Sequence, residues 1–220
     1  MEIAEWLPAI GQGTLETLYM TLISTLMAYV IGMPVGFWLT VAAPDGIRPN
    51  GPVYRVAGGI VNALRSAPFL ILLMALMPLT KIITGTSIGP IAMIPPLVIA
   101  AFPFIARMVE SSAREVDRGV IEAALSMGAS PLQIICKVIL PEARSSLISG
   151  AAISITTILG YSAMAGIVGG GGLGGIAINY GYYRGQTGIM WVMVVLLIAI
   201  VQIFQEIGNF TAHRSDKRIR

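Results

Sequence analysis

The sequence is poor in the residue types on which soluble catalysis and oxidative folding depend. Of its 220 residues one is cysteine, Cys136, and one is histidine, His213. A lone cysteine excludes an internal disulfide framework and a cysteine-rich zinc site. No His-Glu-x-x-His, Gly-x-Ser-x-Gly or metal-spaced His/Cys set occurs, so intramembrane hydrolysis lacks its parts. Charge is also scarce, at 11% of the chain, against roughly a quarter in an ordinary soluble domain. Too little charge remains to wet a surface. What is present is apolar, 55% of residues with a mean hydropathy of +0.81, and the charges cluster so that uncharged runs reach about 18 residues or more. The composition is that of an integral membrane protein. The opening residues, Met1 to Trp6, carry neither the basic region nor the small-residue cleavage site of a signal peptide, so the first span is expected to stay in the mature protein.

A bilayer core of about 30 Å needs about 20 helical residues at about 1.5 Å each. Windows of that size predict an all-α protein with five transmembrane helices, over 15–43, 58–79, 88–106, 147–168 and 189–207, in a single membrane domain covering 1–220. Pro44, Asp45 and Gly46 end the first span, and Gly85, Thr86 and Ser87 start the third. With the N-terminus outside, the inner segments and tail carry Arg48, Arg55, Arg107, Arg114, Arg118, Lys137, Arg144, Arg214, Lys217, Arg218 and Arg220, while the outer segments carry Lys81 and Arg184. That asymmetry is a positive-inside signal, with the C-terminus in the cytoplasm, and the basic residues need no nucleic-acid explanation. The longest inner segment, 107–146, is too short for a catalytic domain and reads as a docking element.

Uphill transport needs an ion gradient or a nucleotide. Proton-coupled carriers hold Asp, Glu or His at mid-membrane depth, whereas Glu16, Glu110 and Glu206 fall near span ends and His213 sits in a basic tail. Sodium coupling through carbonyls and hydroxyls leaves no such trace, but five spans without an internal repeat argue against an inverted-repeat carrier complete in one chain. The only glycine-rich stretch, 169–175, has no lysine and follows an apolar span. It is expected to be a flexible or re-entrant outer loop rather than a phosphate loop. Energy is therefore expected from another subunit.

Within the inner segment, 121–127 is helix-forming, Gly128 can take the left-handed stop conformation, and Ser130 with Pro131 forms an N-cap with proline at the first helical position. A second short helix is predicted over 131–139, with an apolar face of Leu132, Ile135 and Ile139, and Pro141 ends or kinks it. Periodicity leaves two readings open: a docking knob, or an amphipathic pair lying on the lipid surface.

Glu122, Ala123, Ala124, three residues, Gly128, nine residues, Val138, one residue, Leu140 and Pro141 resemble the EAA signature of membrane subunits of bacterial ABC importers, with Val138 where isoleucine is usual. Further stretches are similar to the permeases of methionine importers: 31–36 in the first span, Leu64 to Phe69, Pro103 to Glu110, and 160–164 in the fourth. The resemblance implies a type I importer transmembrane domain in the bacterial inner membrane. It implies a homodimer, two cytoplasmic ATPase subunits carrying ATP and Mg, and an extracytoplasmic substrate-binding protein. The chain itself is then not an enzyme, and the loop holding Glu122, Ala123, Ala124, Gly128, Pro131, Leu140 and Pro141 is the coupling helix that seats in the ATPase. The substrate would be methionine, in one or both stereoisomers. An importer of another small amino acid, or a non-transporting membrane scaffold, are the alternatives.

Thr157, Tyr161 and Met164 are spaced by four and three, so they share a face of the fourth span. A hydroxyl for the zwitterion and a polarizable thioether for an apolar side chain would suit methionine in a pathway. The small residues around them serve close helix packing. Arg65 would cost about 2.5–3.5 kcal/mol inside hydrocarbon. It either snorkels or pairs with Glu110 or Glu142 at a cytoplasmic gate. The orientation predicts that a membrane-impermeant thiol reagent labels a cysteine engineered at Gly171 in intact cells and leaves Cys136 untouched; the reverse pattern would invert the topology.

Overall fold

The computed structural model describes residues 6–215. The opening residues 1–5 and the basic tail residues Lys217, Arg218 and Arg220, used above for leader and topology, lie outside the described residues. Among the described residues every regular element is helical: α1 (Leu7–Ala42), α2 (Gly51–Ser66), α3 (Phe69–Thr84), α4 (Pro90–Arg114), α5 (Arg118–Ser126), α6 (Pro131–Ile134), α7 (Leu140–Glu142), α8 (Arg144–Ala165), α9 (Gly172–Ile176) and α10 (Thr187–Ser215). π-turns occupy Ile135–Ile139 and Ala177–Tyr182, and a 3-10 turn, Gly166–Val168, extends α8.

Among the described residues four helical stretches are long and apolar enough to cross a membrane, α1, α4, α8 with its extension, and α10, and the bent pair α2–α3 makes a fifth when taken as one span. The second expected span is thus a broken one. Its window, 58–79, straddles the end of α2 and the start of α3, a pair bent by 104° at the break. The cause is Pro68, which lacks an N–H and pushes the preceding Ala67 out of helical geometry. Pro68 itself is extended, at φ −60° and ψ 124°, and its carbonyl accepts the Leu72 N–H that opens α3. Hydropathy counts residues and is blind to this. Three other boundaries move for a related reason, since a helix can outlast its apolar stretch. α1 begins at Leu7, α4 continues to Arg114, so the first residues of the expected inner segment are helical, and α10 continues to Ser215.

The chain forms two compact units. The first comprises Met1–Met27, Ala67–Ala101 and Ile155–Gln205. Of the two expectations for the glycine-rich stretch, a flexible or a re-entrant loop, the flexible one is excluded. Gly172, Leu173, Gly174 and Gly175 are buried in α9, and a Cβ on Gly174 would lie inside the Ala163 backbone. The α9 N-terminus is capped by α1: Glu16 Oε2 accepts the Gly172 N–H at 2.8 Å and Thr17 Oγ1 accepts the Leu173 N–H at 2.9 Å. Leu173, Ile189 and Met193 form a core beside it. A Cβ on Gly171 would sit 2.7 Å from Glu16 Oε2, at a positive φ of 77°. The reporter cysteine for topology therefore belongs at Tyr183, which is exposed.

The second unit comprises Ala28–Ser66, Phe102–Ser154 and Glu206–Arg220. Gly32 and Gly36 of α1 lie directly against α4, where Cβ atoms would come within 2.8 Å of the Phe102 carbonyl oxygen and 2.7 Å of Val109 Cβ. Leu39, Val61 and Ala106 complete that contact with Val35, Tyr54 and Ala57. Such approach is how helices gain dispersion energy when lipid offers no hydrophobic drive. Gly36→Ala should therefore cost about 1–3 kcal/mol through overpacking. It should lower the thermal midpoint of the purified protein, whereas Gly160→Ala, whose Cβ would meet open space, should not; equal midpoints would contradict the packing.

Candidate functional site

The knob after α4 is built by local chemistry. Asp117 caps α5 by accepting the Gly119 N–H at 2.7 Å. Gly128, at φ +79°, ends the helix in a Schellman turn in which its N–H bonds the Leu125 carbonyl and the Ala129 N–H bonds the Ala124 carbonyl. Ser130 and Gln133 then form a reciprocal capping box, with Pro131 at the first turn of α6. The expected stop at Gly128 and cap at Ser130 are both present.

The apolar face is not the expected one. Leu132 is 70% exposed, Ile135 is half-buried, and Ile134 and Ile139 are fully buried. Ile134 and Ile139 are five apart, the spacing of a π-turn rather than an α-helix. The widening precedes Pro141, which cannot donate to the Lys137 carbonyl and would clash with it in a regular helix. The expected helix over 131–139 is thus part α and part π. Of the signature residues, Glu122, Ala123 and Gly128 are exposed, Leu140 is at the edge of exposure, Pro131 and Pro141 are half-buried, and Ala124 is buried. Met127, 82% exposed, and Leu132 stand out from the knob without cover among the described residues. Cys136 is exposed nearby on the same element.

A buried ionic network on α4 was missed by sequence reasoning. Glu110 is almost fully buried; its Oε2 accepts from Arg107 Nη1 at 2.6 Å, and its Oε1 accepts from Tyr54 Oη at 2.9 Å and lies 3.3 Å from Arg114 Nη2. Arg107 Nη2 also donates to the Gly58 carbonyl at 2.8 Å, and Arg114 Nη2 donates to Tyr54 Oη at 3.2 Å and lies 3.6 Å from Asp45 Oδ1. The signal was available: Arg107, Glu110 and Arg114 recur at three and four, one face of a helix. Counting the stretch as a loop hid it. The network borders the knob, because Asp45, Arg114 and Glu122 line one cavity of about 240 Å³. The expected gate pair does not form. Both oxygens of Glu110 are engaged, Arg65 is exposed and makes no ion pair among the described residues, and Glu142 lines a separate cavity with Glu115, Ser145 and Ser146.

On α8 the hydroxylated side turns inward. Ser162 accepts from Thr21 Oγ1 at 3.4 Å within the first unit, and Ser154 lies 3.3 Å from Tyr29 Oη within the second. Of the three expected pathway residues, Met164 is half exposed, and Thr157 and Tyr161 are half-buried. The Tyr161 ring stacks on Phe69 with centroids 4.4 Å apart and planes 7° from parallel. Ile153, Gly160, Met164 and Ile167 are exposed along one stripe.

The family model of the binding-protein-dependent transport system inner membrane component matches residues 32–217. The probable D-methionine transport system permease protein MetI of Vibrio cholerae is 49% identical over 205 residues, 93% of this chain and 91% of that protein. The D-methionine transport system permease protein MetI of Escherichia coli K12 is 50% identical over 155 residues, covering 70% and 71%. A chain of the MetNI methionine ABC transporter in an inward-facing conformation superposes with a TM-score of 0.95 at 45% identity, covering 97% of this chain and 99% of that one. A chain of an amino acid ABC transporter with histidines matches at a TM-score of 0.78 and 20% identity over 96% of each, a likeness of fold alone.

A buried charge deprived of its partner is costly, so Glu110→Ala should destabilise the protein by about 3–5 kcal/mol and Tyr54→Phe by about 0.5–1.5 kcal/mol. Thermal unfolding of the purified variants checks this. A Glu110→Ala midpoint equal to that of the parent would mean the network holds nothing together.

Proposed function

The chain belongs to the binding-protein-dependent transport system inner membrane components, and on that premise we propose that it is the permease subunit through which an ABC importer brings methionine across the bacterial inner membrane. The observation that carries the substrate is the match to MetI over nearly the whole length of both chains, in sequence and in fold. ATP hydrolysis resides in a separate subunit, and this chain supplies the membrane passage. Two copies related by a two-fold axis would enclose a pathway that five spans alone cannot. An extracytoplasmic binding protein would deliver the amino acid, and two ATPase subunits would drive the cycle with ATP and Mg.

In this reading the N-terminus is outside and the knob faces the cytoplasm. The knob from α5 to α7 seats in the ATPase subunit, where the uncovered Met127 and Leu132 give it an apolar tip and Glu122 a charged flank. Gly128 and Pro131 shape the turn, Ala124 is packed beneath it, and Leu140 and Pro141 connect it to α8. The stripe on α8 holding Gly160 and Met164, with Thr157 beside it, faces the second copy and the pathway. Tyr161 acts from the wall, held by its stack on Phe69. Arg65 is assigned no gating role, because Glu110 is already paired and Glu142 lines a separate cavity.

The test is ATP-dependent methionine uptake by the chain reconstituted in vesicles with its ATPase and binding protein. A complex that hydrolyses ATP yet imports another amino acid in preference to methionine would overturn the substrate, and one with no uptake at all would favour the scaffold. Gly128→Val forces a β-branched residue to φ +79°, a cost of roughly 1–2 kcal/mol. It should lower uptake per assembled complex while leaving membrane insertion intact. Normal uptake by that variant would overturn the coupling assignment.

A further inference from the structure

α2 carries two adjacent stripes that the import reading does not use. Arg55, Gly59 and Asn62 recur at four and three, and immediately beside them Val56, Ile60 and Ala63 do the same. The second stripe is apolar and open, with Val56 65% and Ile60 57% exposed. The first stripe is the floor of a groove of about 490 Å³ that Arg55 and Arg65 flank and Arg107 closes from α4. No carboxylate lines it. Arg107 spends Nη1 on Glu110 and Nη2 on the Gly58 carbonyl, while its buried Nε has no partner. Arg55 and Arg65 make no ion pair among the described residues, and their Cα atoms are separated by ten residues, roughly 15 Å along the helix. Gly59 keeps the floor low, since nothing lies within 4 Å of where its Cβ would be.

We infer that this groove binds the phosphate headgroup of an anionic phospholipid, whose acyl chains lie along Val56 and Ile60. A basic surface without carboxylates calls for a net anion. A zwitterionic amino acid brings an ammonium group that the guanidiniums repel, and it has no tail for the apolar stripe. A phosphodiester on two acyl chains meets both demands at once, and a doubly charged headgroup can reach both flanking arginines. The inference rests on the chain's residence in a membrane and is independent of the methionine reading.

The test uses the permease–ATPase complex taken from phosphatidylcholine vesicles containing cardiolipin, with retained lipid counted by native mass spectrometry. Each arginine near an anionic headgroup contributes enough that Arg65→Gln should weaken retention about fivefold, and Arg55→Gln with Arg65→Gln about thirtyfold. Gly59→Glu puts a carboxylate into open space on a helical backbone, so it should expel the lipid from a fully assembled complex even if the double variant assembles poorly. Retention in Gly59→Glu equal to that of the parent would overturn the site. Displacement of cardiolipin by inorganic phosphate, beyond that caused by chloride at equal ionic strength, would make the occupant a soluble anion and overturn the lipid.

Discussion

A carboxylate cut off from water has to be answered by nearby cations and donors, and the second compact unit is arranged around that demand at Glu110. Arg107 and Arg114 answer from its own helix, which explains why α4 outlasts its apolar stretch. Tyr54 answers from α2, and Arg107 reaches on to the Gly58 carbonyl, so one buried charge ties α2 to α4. Arg114 extends the tie to Asp45 in the connection after α1, and Arg118 donates to the Asp45 carbonyl from the first turn of α5. The base of the knob is thereby held by the same charges that hold the helices. Such a pair adds little net stability compared with an apolar core of the same volume. What it supplies is a unique geometry between helices whose lipid-facing surfaces could otherwise slide.

Along α1 many hydroxyls are satisfied within their own helix. Thr14, Thr17, Thr25 and Thr40 each donate back to the carbonyl four residues earlier on α1. Helix contacts rely on absent side chains, as at Gly32 and Gly36 against α4 and at Gly208 against Ala152. In hydrocarbon the solvent is as apolar as leucine, so proximity and satisfied hydrogen bonds do the work that hydrophobic burial does in water.

What was legible in the sequence was local. The Gly128 stop, the Ser130 cap and the five spans follow from short stretches of sequence, and the structure contains them, the second as the bent pair α2–α3. What was hidden depends on partners distant in sequence or on backbone geometry that hydropathy ignores. The break at Pro68 sits inside a window that passes as one span on length and mean hydropathy. The capping of α9 by Glu16 spans more than 150 residues, so the glycines read as loose although they are buried. Leu132, Ile135 and Ile139 read as one apolar face because an α-helical period was assumed where the helix widens, whereas Ile134 and Ile139 are buried together and Leu132 points outward. Arg65 was expected either to snorkel or to pair with Glu110 or Glu142, but the partners of Glu110 are three and four residues away on its own helix.

The π-turn inside the knob, ahead of α8, also decides how this part of the chain takes a change of length. One residue inserted into a regular helix rotates everything after it by about 100°, which would carry Ser154 away from Tyr29 and Gly150 away from Met108. A widened turn takes up the additional residue on the spot. Residues 135–139 are thus a place where one residue more or fewer in the knob can be absorbed while the helix beyond keeps its azimuth.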